Sequence, residues 1–348
     1  MRRWTALALI TVGSSCAACP LFAAPAKGVQ VTTHVEERRV DITIDGKPFT
    51  SYIWPTNLRK PVLFPIIDSN GLTLTRGYPL APRPGERTDH PHHTGLWFNY
   101  SNVSGFDFWN NSDAIPAARR PKMGSIRFDK IVSSESKLHS GELVTESTWI
   151  DGTGKPVIEE TTHFIFADHD GVRTIDRVAT LHALEQVVFG DDKDGLLGLR
   201  VASWLESLSA KGGSFTDGSG QVTQVAGAAH DASGVYLTSE GIKGDAAWGT
   251  RGQWCALTGQ TGNNVATIAI FDHPRNPGYP TYWHARDYGL FAANPLGRDN
   301  FDPKQPAFNY TLQKGQTATF RYRVAFYPRT ATVAELNREA GSFAKESQ

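Results

Sequence analysis

Between Glu86 and Trp109 the chain reads ERTDHPHHTGLWFNYSNVSGFDFW, which gathers Glu86, Asp89, His90, His92, His93, Asp107 and two tryptophans, Trp97 and Trp109. Imidazoles beside carboxylates exchange protons near neutral pH, and indole rings offer flat apolar faces. Neither a core strand nor a solvated loop needs that mixture. A small-molecule cleft with polar groups at its floor and aromatic walls does.

A second stretch, FDHPRNPGYPTYWHARDYGLFAANP at 271–295, repeats the chemistry with Asp272, His273, Tyr282, Trp283, His284, Arg286 and Asn294. It also repeats a tripeptide, because Asp89-His90-Pro91 recurs as Asp272-His273-Pro274. A residue before proline is pushed toward extended backbone, so each of these histidines is expected to be held in one orientation beside a carboxylate. Five of the 11 histidines fall in the two stretches. The expectation is a composite site with one half on each stretch.

In that site His92 or His93 and His284 are the expected acid and base, with Asp89, Asp272 and Glu86 as orienting or basic carboxylates. His90, Trp97, Trp109 and His273 from the Asp-His-Pro segments are expected to contact substrate. So are Tyr282, Trp283, Arg286 and Asn294, with Arg251 from the neighbouring strand pair. Glycoside cleavage would need two carboxyl groups at a characteristic separation, and Glu86 with Asp272 is the candidate pair. No cofactor is required. A metal-dependent alternative would use His90, His92 and His273, because adjacent His92 and His93 point to opposite faces of an extended backbone. A third reading is saccharide binding without catalysis. Each residue also has a plain structural role open to it: Pro-linked His and Asp cap turns, and tryptophans fill cores.

The elements that must carry these residues are short strands. Val29–Ile53 alternates apolar and polar residues around the hairpin signal Asp45-Gly46. Lys60–Asp68, interrupted by Pro61 and Pro65, suits an edge or irregular strand. Ser125–Ile150, Pro156–Phe166, Val172–Leu181, Leu196–Leu205, Arg251–Leu257 and Val265–Asp272 read as strands, and Gly212–Gly220 as a Gly/Ser loop. Ala318, Phe320, Tyr322, Val324 and Phe326 alternate cleanly after the turn at Lys314-Gly315. Only the tail reads as helix, with Thr332 and Glu335 as a capping box before Val333, Leu336 and Ala340. Many short strands, 33 glycines and 20 prolines predict an all-β protein, one large antiparallel β-sandwich over residues 27–348.

Residues 1–26 have the layout of a secretory signal: Arg2 and Arg3, the apolar run Trp4–Val12, and small residues up to Ala24-Pro25-Ala26. Lipid anchoring through Cys16 or Cys19 lacks a leucine-led lipobox. After cleavage 33 basic residues face 35 acidic ones, so nothing in the charge attracts nucleic acid or an anionic membrane. Cys255 is then the only cysteine, which excludes an internal disulfide. No later apolar run approaches the ~18 residues of a membrane span. The protein is therefore expected outside the cytoplasm or in the periplasm, acting on a small molecule or oligosaccharide. The sequence does not fix its oligomeric state.

Tyr78-Pro79, Glu86, DHPHHTGLWF at 89–98, the Val103–Trp109 turn, DGLLGLRVA at 194–202 and the whole of 271–295 resemble a family of secreted bacterial proteins. That family is usually labelled "methane oxygenase PmoA-like" or simply of unknown function. The resemblance covers most of the chain after the leader. It implies a sandwich similar to the galactose-mutarotase supersandwich and a role in saccharide metabolism, with no catalytic residues to carry over. A methane oxygenase subunit is an integral membrane protein, and this chain has no span to match that label.

Overall fold

Strands of alternating burial organise the molecule, and two broad antiparallel sheets take nearly all of them. The computed structural model describes Met1 and residues 27–346 except His230, so the leader reading falls outside the described residues. One sheet has nine strands, in the order Val29–His34, Arg39–Ile44, Lys47–Ile53, Val62–Ile66, Leu96–Tyr100, Gly195–Arg200, Leu290–Asn294, Thr281–Ala285 and Arg251–Gly252. The other has eight: Val235–Thr238, Trp254–Thr261, Asn264–Asp272, Thr317–Tyr327, Val172–Ala183, Pro156–His169, Ser140–Ile150 and Ser125–Ser136. The expected β-sandwich is present.

Side chains alternate across a strand, so each sheet gives one face to the layer between them. Val40, Ile42, Leu96, Phe98, Leu197, Leu199 and Phe291 meet Trp149, Phe164, Phe166, Ile175, Phe320, Val324 and Phe326 in one continuous core. The final strand shows the pattern well: Ala318, Phe320, Tyr322, Val324 and Phe326 are all buried, and the residues between 318 and 324 less so. The helix Val333–Phe343 lies on the far face of the eight-stranded sheet. It begins at the Thr332–Glu335 capping box and buries Leu336, Ala340 and Phe343 against Trp254, Phe271 and Tyr327.

Two expectations change. Val62–Ile66 is interior to its sheet, not at an edge, although Leu63↔Leu96 is its only paired position with the next strand. Pro61 and Pro65 lack the N–H groups a full ladder needs, so the strand is short and loosely paired instead of peripheral. The Gly/Ser stretch 212–220 contains the strand Gly213–Thr216, which pairs with Val222–Val225. That hairpin docks on the segment before His90, with Thr88 N donating to Ser214 O and Thr216 N to Glu86 O.

Candidate functional site

The outward face of the nine-stranded sheet carries the site. Trp97, Gly198, Ala292 and His284 lie opposite one another across four neighbouring strands, while alternate residues point into the core. Two small residues in mid-row leave a trough for the Trp97 and Trp109 rings. A Cβ on Gly198 would come within 2.5 Å of the Trp97 ring and 2.8 Å of Trp109, so glycine is required there.

Two buried arginines hold the Asp-His-Pro-His-His turn over this trough. Arg76 donates through Nη1 to the Asp89 carbonyl at 2.8 Å, and through Nη2 to the carbonyls of His90 and His93, both at 2.9 Å. Its Nη1 also reaches Asp89 Oδ1 at 2.9 Å, and Arg200 Nη2 reaches the same oxygen at 2.7 Å. Burial alone would raise the Asp89 pKa. His90, Arg200 and Arg76 outweigh it and hold the carboxyl well below the usual carboxylate range. Glu86 locks the preceding loop, accepting Gly77 N at 2.8 Å and Arg83 Nε at 3.0 Å. It is 3% exposed and serves the backbone.

The three histidines do not take the extended arrangement expected of a residue before proline. His90 has φ +43, and His93 N donates to His90 O at 2.9 Å, closing a turn. The Arg76 bonds to this turn's carbonyls keep His90 in a backbone region that L side chains rarely adopt. The rings of His92 and His93 consequently meet at 4.4 Å instead of facing opposite ways. Tyr288, His90, His93 and Trp97 form a stack with centroid steps of 5.0, 4.8 and 5.3 Å and interplanar angles of 2°, 3° and 18°.

Position in the stack separates the histidines chemically. His93 is 2% exposed, its Nε2 accepts Trp109 Nε1–H at 3.2 Å, and its Nδ1 faces Arg200 Nη1 at 3.3 Å. Burial and the surrounding cationic groups push its pKa well below the usual imidazole value. Burial and the Lys60 charge push His92 down to about 2. His90 keeps its side chain 39% exposed, with Nδ1 3.2 Å from Asp89 Oδ1.

Beside this turn lies a cavity of about 420 Å³ lined by Arg87, Asp89, Asp245, Trp248, Arg286 and Tyr288, among others. Trp248 is the one exposed tryptophan among the described residues. The Arg286 guanidinium lies 5.5 Å from the Tyr288 ring centroid and, among the described residues, makes no hydrogen bond or ion pair. Behind the wall, Arg87 Nε donates to Glu206 Oε2 at 2.7 Å, and burial raises Glu206 to about 7 against the pull of both Arg200 and Arg87.

The second stretch divides. His284 shares the outward row; it is buried, with Nδ1 3.1 Å from Lys193 O and 3.7 Å from Asp194 Oδ1, and burial lowers its pKa to about 4. Arg286 reaches the cavity. Trp283 faces the core. Tyr282 is packed between Phe301 and Arg251, and the exposed Arg251 donates to the carbonyls of Gly278 and Pro280, both at 2.9 Å. Asn294 Nδ2 donates to Asp192 O at 2.8 Å and its Oδ1 accepts Leu296 N.

The second Asp-His-Pro is not brought to the first. Asp272 ends a strand of the eight-stranded sheet and accepts Asn276 Nδ2 at 2.7 Å and Thr281 N at 2.8 Å. It thereby pins the crossover that carries the chain to the nine-stranded sheet. Burial raises its pKa to about 7. His273 packs edge-on against Phe343 of the C-terminal helix. Neither residue lines the cavity; of the expected site residues Asp89 and Arg286 line it, His90 stacks behind its wall on Tyr288, and His284 shares only the outward row. The trio His90, His92 and His273 does not converge, and among the described residues no three His, Cys, Asp or Glu side chains cluster at metal-binding distance.

Arg76, Arg200, Glu206, Trp248 and Tyr288 were not singled out from sequence. A lone arginine closing the otherwise fully buried run Gly195–Arg200 is the signal that could have found one of them.

Fold and site together define a large antiparallel β-sandwich whose outward sheet face carries a charged, aromatic-walled cavity beside a buried-arginine turn. Residues 39–341 match the model of a family described as a family of unknown function (DUF6807), and the chain belongs to it. That description does not support the methane-oxygenase label. No curated protein matches the chain in sequence. Among solved structures, galactose 1-epimerase from Lactobacillus acidophilus is 9% identical at TM-score 0.41, over 88% of this chain and 100% of that one. A galactose mutarotase-like protein from Clostridium acetobutylicum is 10% identical at TM-score 0.38, over 86% and 98%. A GH36 α-galactosidase from Geobacillus stearothermophilus is 12% identical at TM-score 0.41, and this chain, matched over 86% of its length, spans 41% of it. Among the described residues no helix is long and apolar enough to cross a membrane.

Proposed function

We propose that the 420 Å³ cavity binds a saccharide and acts on it by acid–base chemistry, with His90 as the proton carrier and Asp89 as its orienting carboxylate. The observation that carries this reading is the state of His90. Its ring is 39% open to solvent, lies 3.2 Å from an ionised carboxylate, stacks on the cavity wall at Tyr288, and sits on strained backbone fixed by Arg76. A carboxylate beside one imidazole nitrogen fixes the tautomer and leaves the other nitrogen to exchange protons. Trp248 and Tyr288 offer planar apolar surface to a pyranose face, and Arg286 offers unused donors to its hydroxyls. This reading moves the acid–base role from His92 and His93 to His90. The reaction begins with a proton transfer, whether it proceeds to epimerisation, elimination or hydrolysis. The setting proposed for it is the periplasm or the medium, as the leader implies.

The test is full-length protein assayed against aldoses, uronates and oligosaccharides by NMR, alongside His90→Gln. The expected result is turnover of one sugar class, lost by about 10²–10⁴-fold in the variant. Sugar binding with no turnover in either protein replaces the enzyme with a binding protein. Neither binding nor turnover ends the saccharide reading.

A further inference from the structure

On the far side of the histidine turn lies a separate cavity of about 240 Å³, walled by Asn57, Lys60, Tyr78, His92, Asn111 and Ser112 among others. Lys60 is the unusual member. It is 5% exposed, and among the described residues it has no carboxylate ion pair and makes one hydrogen bond, from Nζ to the His92 carbonyl at 2.7 Å. Its Nζ also lies 5.2 Å from the Trp97 ring centroid. The neighbouring charges do not pair with it, since Arg59 bonds Asp113, and Asp107 accepts the backbone and side-chain N–H groups of Asn110.

Buried lysines are normally matched by an anion, because an ammonium out of water is costly. Here burial outweighs the attraction of Asp107 and lowers the Lys60 pKa to about 7, so a large share of the amine is unprotonated at neutral pH. A desolvated lysine amine at a cavity wall is the arrangement that makes a lysine nucleophilic toward carbonyl carbon. The cavity is smaller than the roughly 300 Å³ lower bound of drug-sized clefts, which limits it to a short-chain molecule. Its walls are mostly apolar, with Asn57 and Ser112 offering a few polar groups to a ligand's hydroxyls.

We propose that this cavity is a second, covalent site, in which the Lys60 amine captures a small hydroxy-aldehyde or hydroxy-ketone as an imine. The amine lone pair attacks the carbonyl carbon and the C=O π electrons move to oxygen. The oxygen then leaves as water, taking both former N–H protons, and a C=N bond remains. No oxidant or reductant takes part. The site is distinct from the His90 cavity and does not depend on the saccharide reading there.

The experiment is reductive trapping on the unmodified full-length protein, with glyceraldehyde as probe and cyanoborohydride to fix the imine. Peptide mass mapping then gives the labelling rate at each lysine. Lys60 is expected to be labelled at least about tenfold faster than exposed lysines at pH 7. Its rate should level off above about pH 8, while theirs keeps climbing toward pH 10. Labelling of Lys60 no faster than its exposed counterparts, or a Lys60 rate that climbs in parallel with theirs, overturns the proposal. Lys60→Met should retain the label at other lysines and lose only this one; if it does not fold, the wild-type rates alone decide.

Discussion

Arg200 Nη2 donates to Asp89 Oδ1 across 2.7 Å, joining residues 111 positions apart. The bond ties a central strand of the nine-stranded sheet to the turn that carries all three clustered histidines. Arg200 is fully buried, so removing it leaves the partly exposed Asp89 with Arg76 as its one remaining arginine partner and opens a gap in the packed sheet face beneath the turn. Arg200→Met is expected to destabilise the fold by about 3–5 kcal/mol, read as a lowered denaturant midpoint. A midpoint within error of wild type would mean that Arg76 alone holds the turn.

Two buried groups set opposite pH trends. Burial raises the Asp272 pKa from the ordinary 3.8 to about 7, so between those values the native chain holds a proton that the unfolded chain has lost. The Asp272 contribution to stability therefore falls as pH rises from about 4 to about 7, opposed over the same range by the buried His92, His93 and His284, whose depressed pKa values act with the other sign. Lys60 titrates near 7 against 10.5, so above pH 7 the unfolded chain holds the extra proton and stability recovers as pH rises. Denaturant midpoints at about pH 5 and 7 isolate the Asp272 contribution by difference: between these values Asp272→Asn should lose less stability, or gain more, than wild type. The same change from pH 5 to 7 in both proteins would contradict the Asp272 assignment.

Gly198→Val drives a branched side chain into the Trp97 and Trp109 rings. The expected cost is about 1–3 kcal/mol, with displacement of the histidine turn above it. Thermal melting measures the cost, and loss of sugar binding measures the displacement. Gly218, with no atom near its missing Cβ, is the control position, and Gly218→Ala should leave both unchanged.

Metal removal provides a fourth test. His93 Nε2 is taken by Trp109 Nε1–H, its Nδ1 lies against Arg200, and the neighbours of the turn include Arg76, Arg200 and Lys60, a cationic setting that repels a divalent ion. Dialysis against a chelator should leave melting temperature and turnover unchanged. Recovery of activity on adding back zinc or iron would reverse this expectation.

Much of the architecture is legible in the chain because burial imposes a period of two on strands. Residues 317–324 show it without interruption, and Asp45-Gly46 and Thr332–Glu335 announce a turn and a helix start by chemistry that acts over four residues or fewer. The first half of the site is legible for a different reason. Asp89, His90 and Trp97 come from one short segment, so composition alone exposes them. Arg76, Arg200, Glu206 and Lys60 are not visible in that way. Each is a single charge in ordinary surroundings, and what makes it unusual is burial, against a distant partner for Arg200 and Glu206, against the nearby histidine turn for Arg76, and without an anion for Lys60. The Asp-His-Pro repeat misleads for a related reason. The same three residue types pin a sheet crossover at 272–274 and carry a strained histidine at 89–91, and only the packing distinguishes them.

The parallel rings of Tyr288, His90, His93 and Trp97 have one further consequence. They run from the wall of the larger cavity to the ring beside Lys60 in the smaller one, each in van der Waals register with the next. They are a party wall between two rooms. A tilt of any ring is passed to its neighbour, because close-packed aromatics have no slack in which to absorb it. Neither room can be enlarged, narrowed or refurnished by substitution without altering the other.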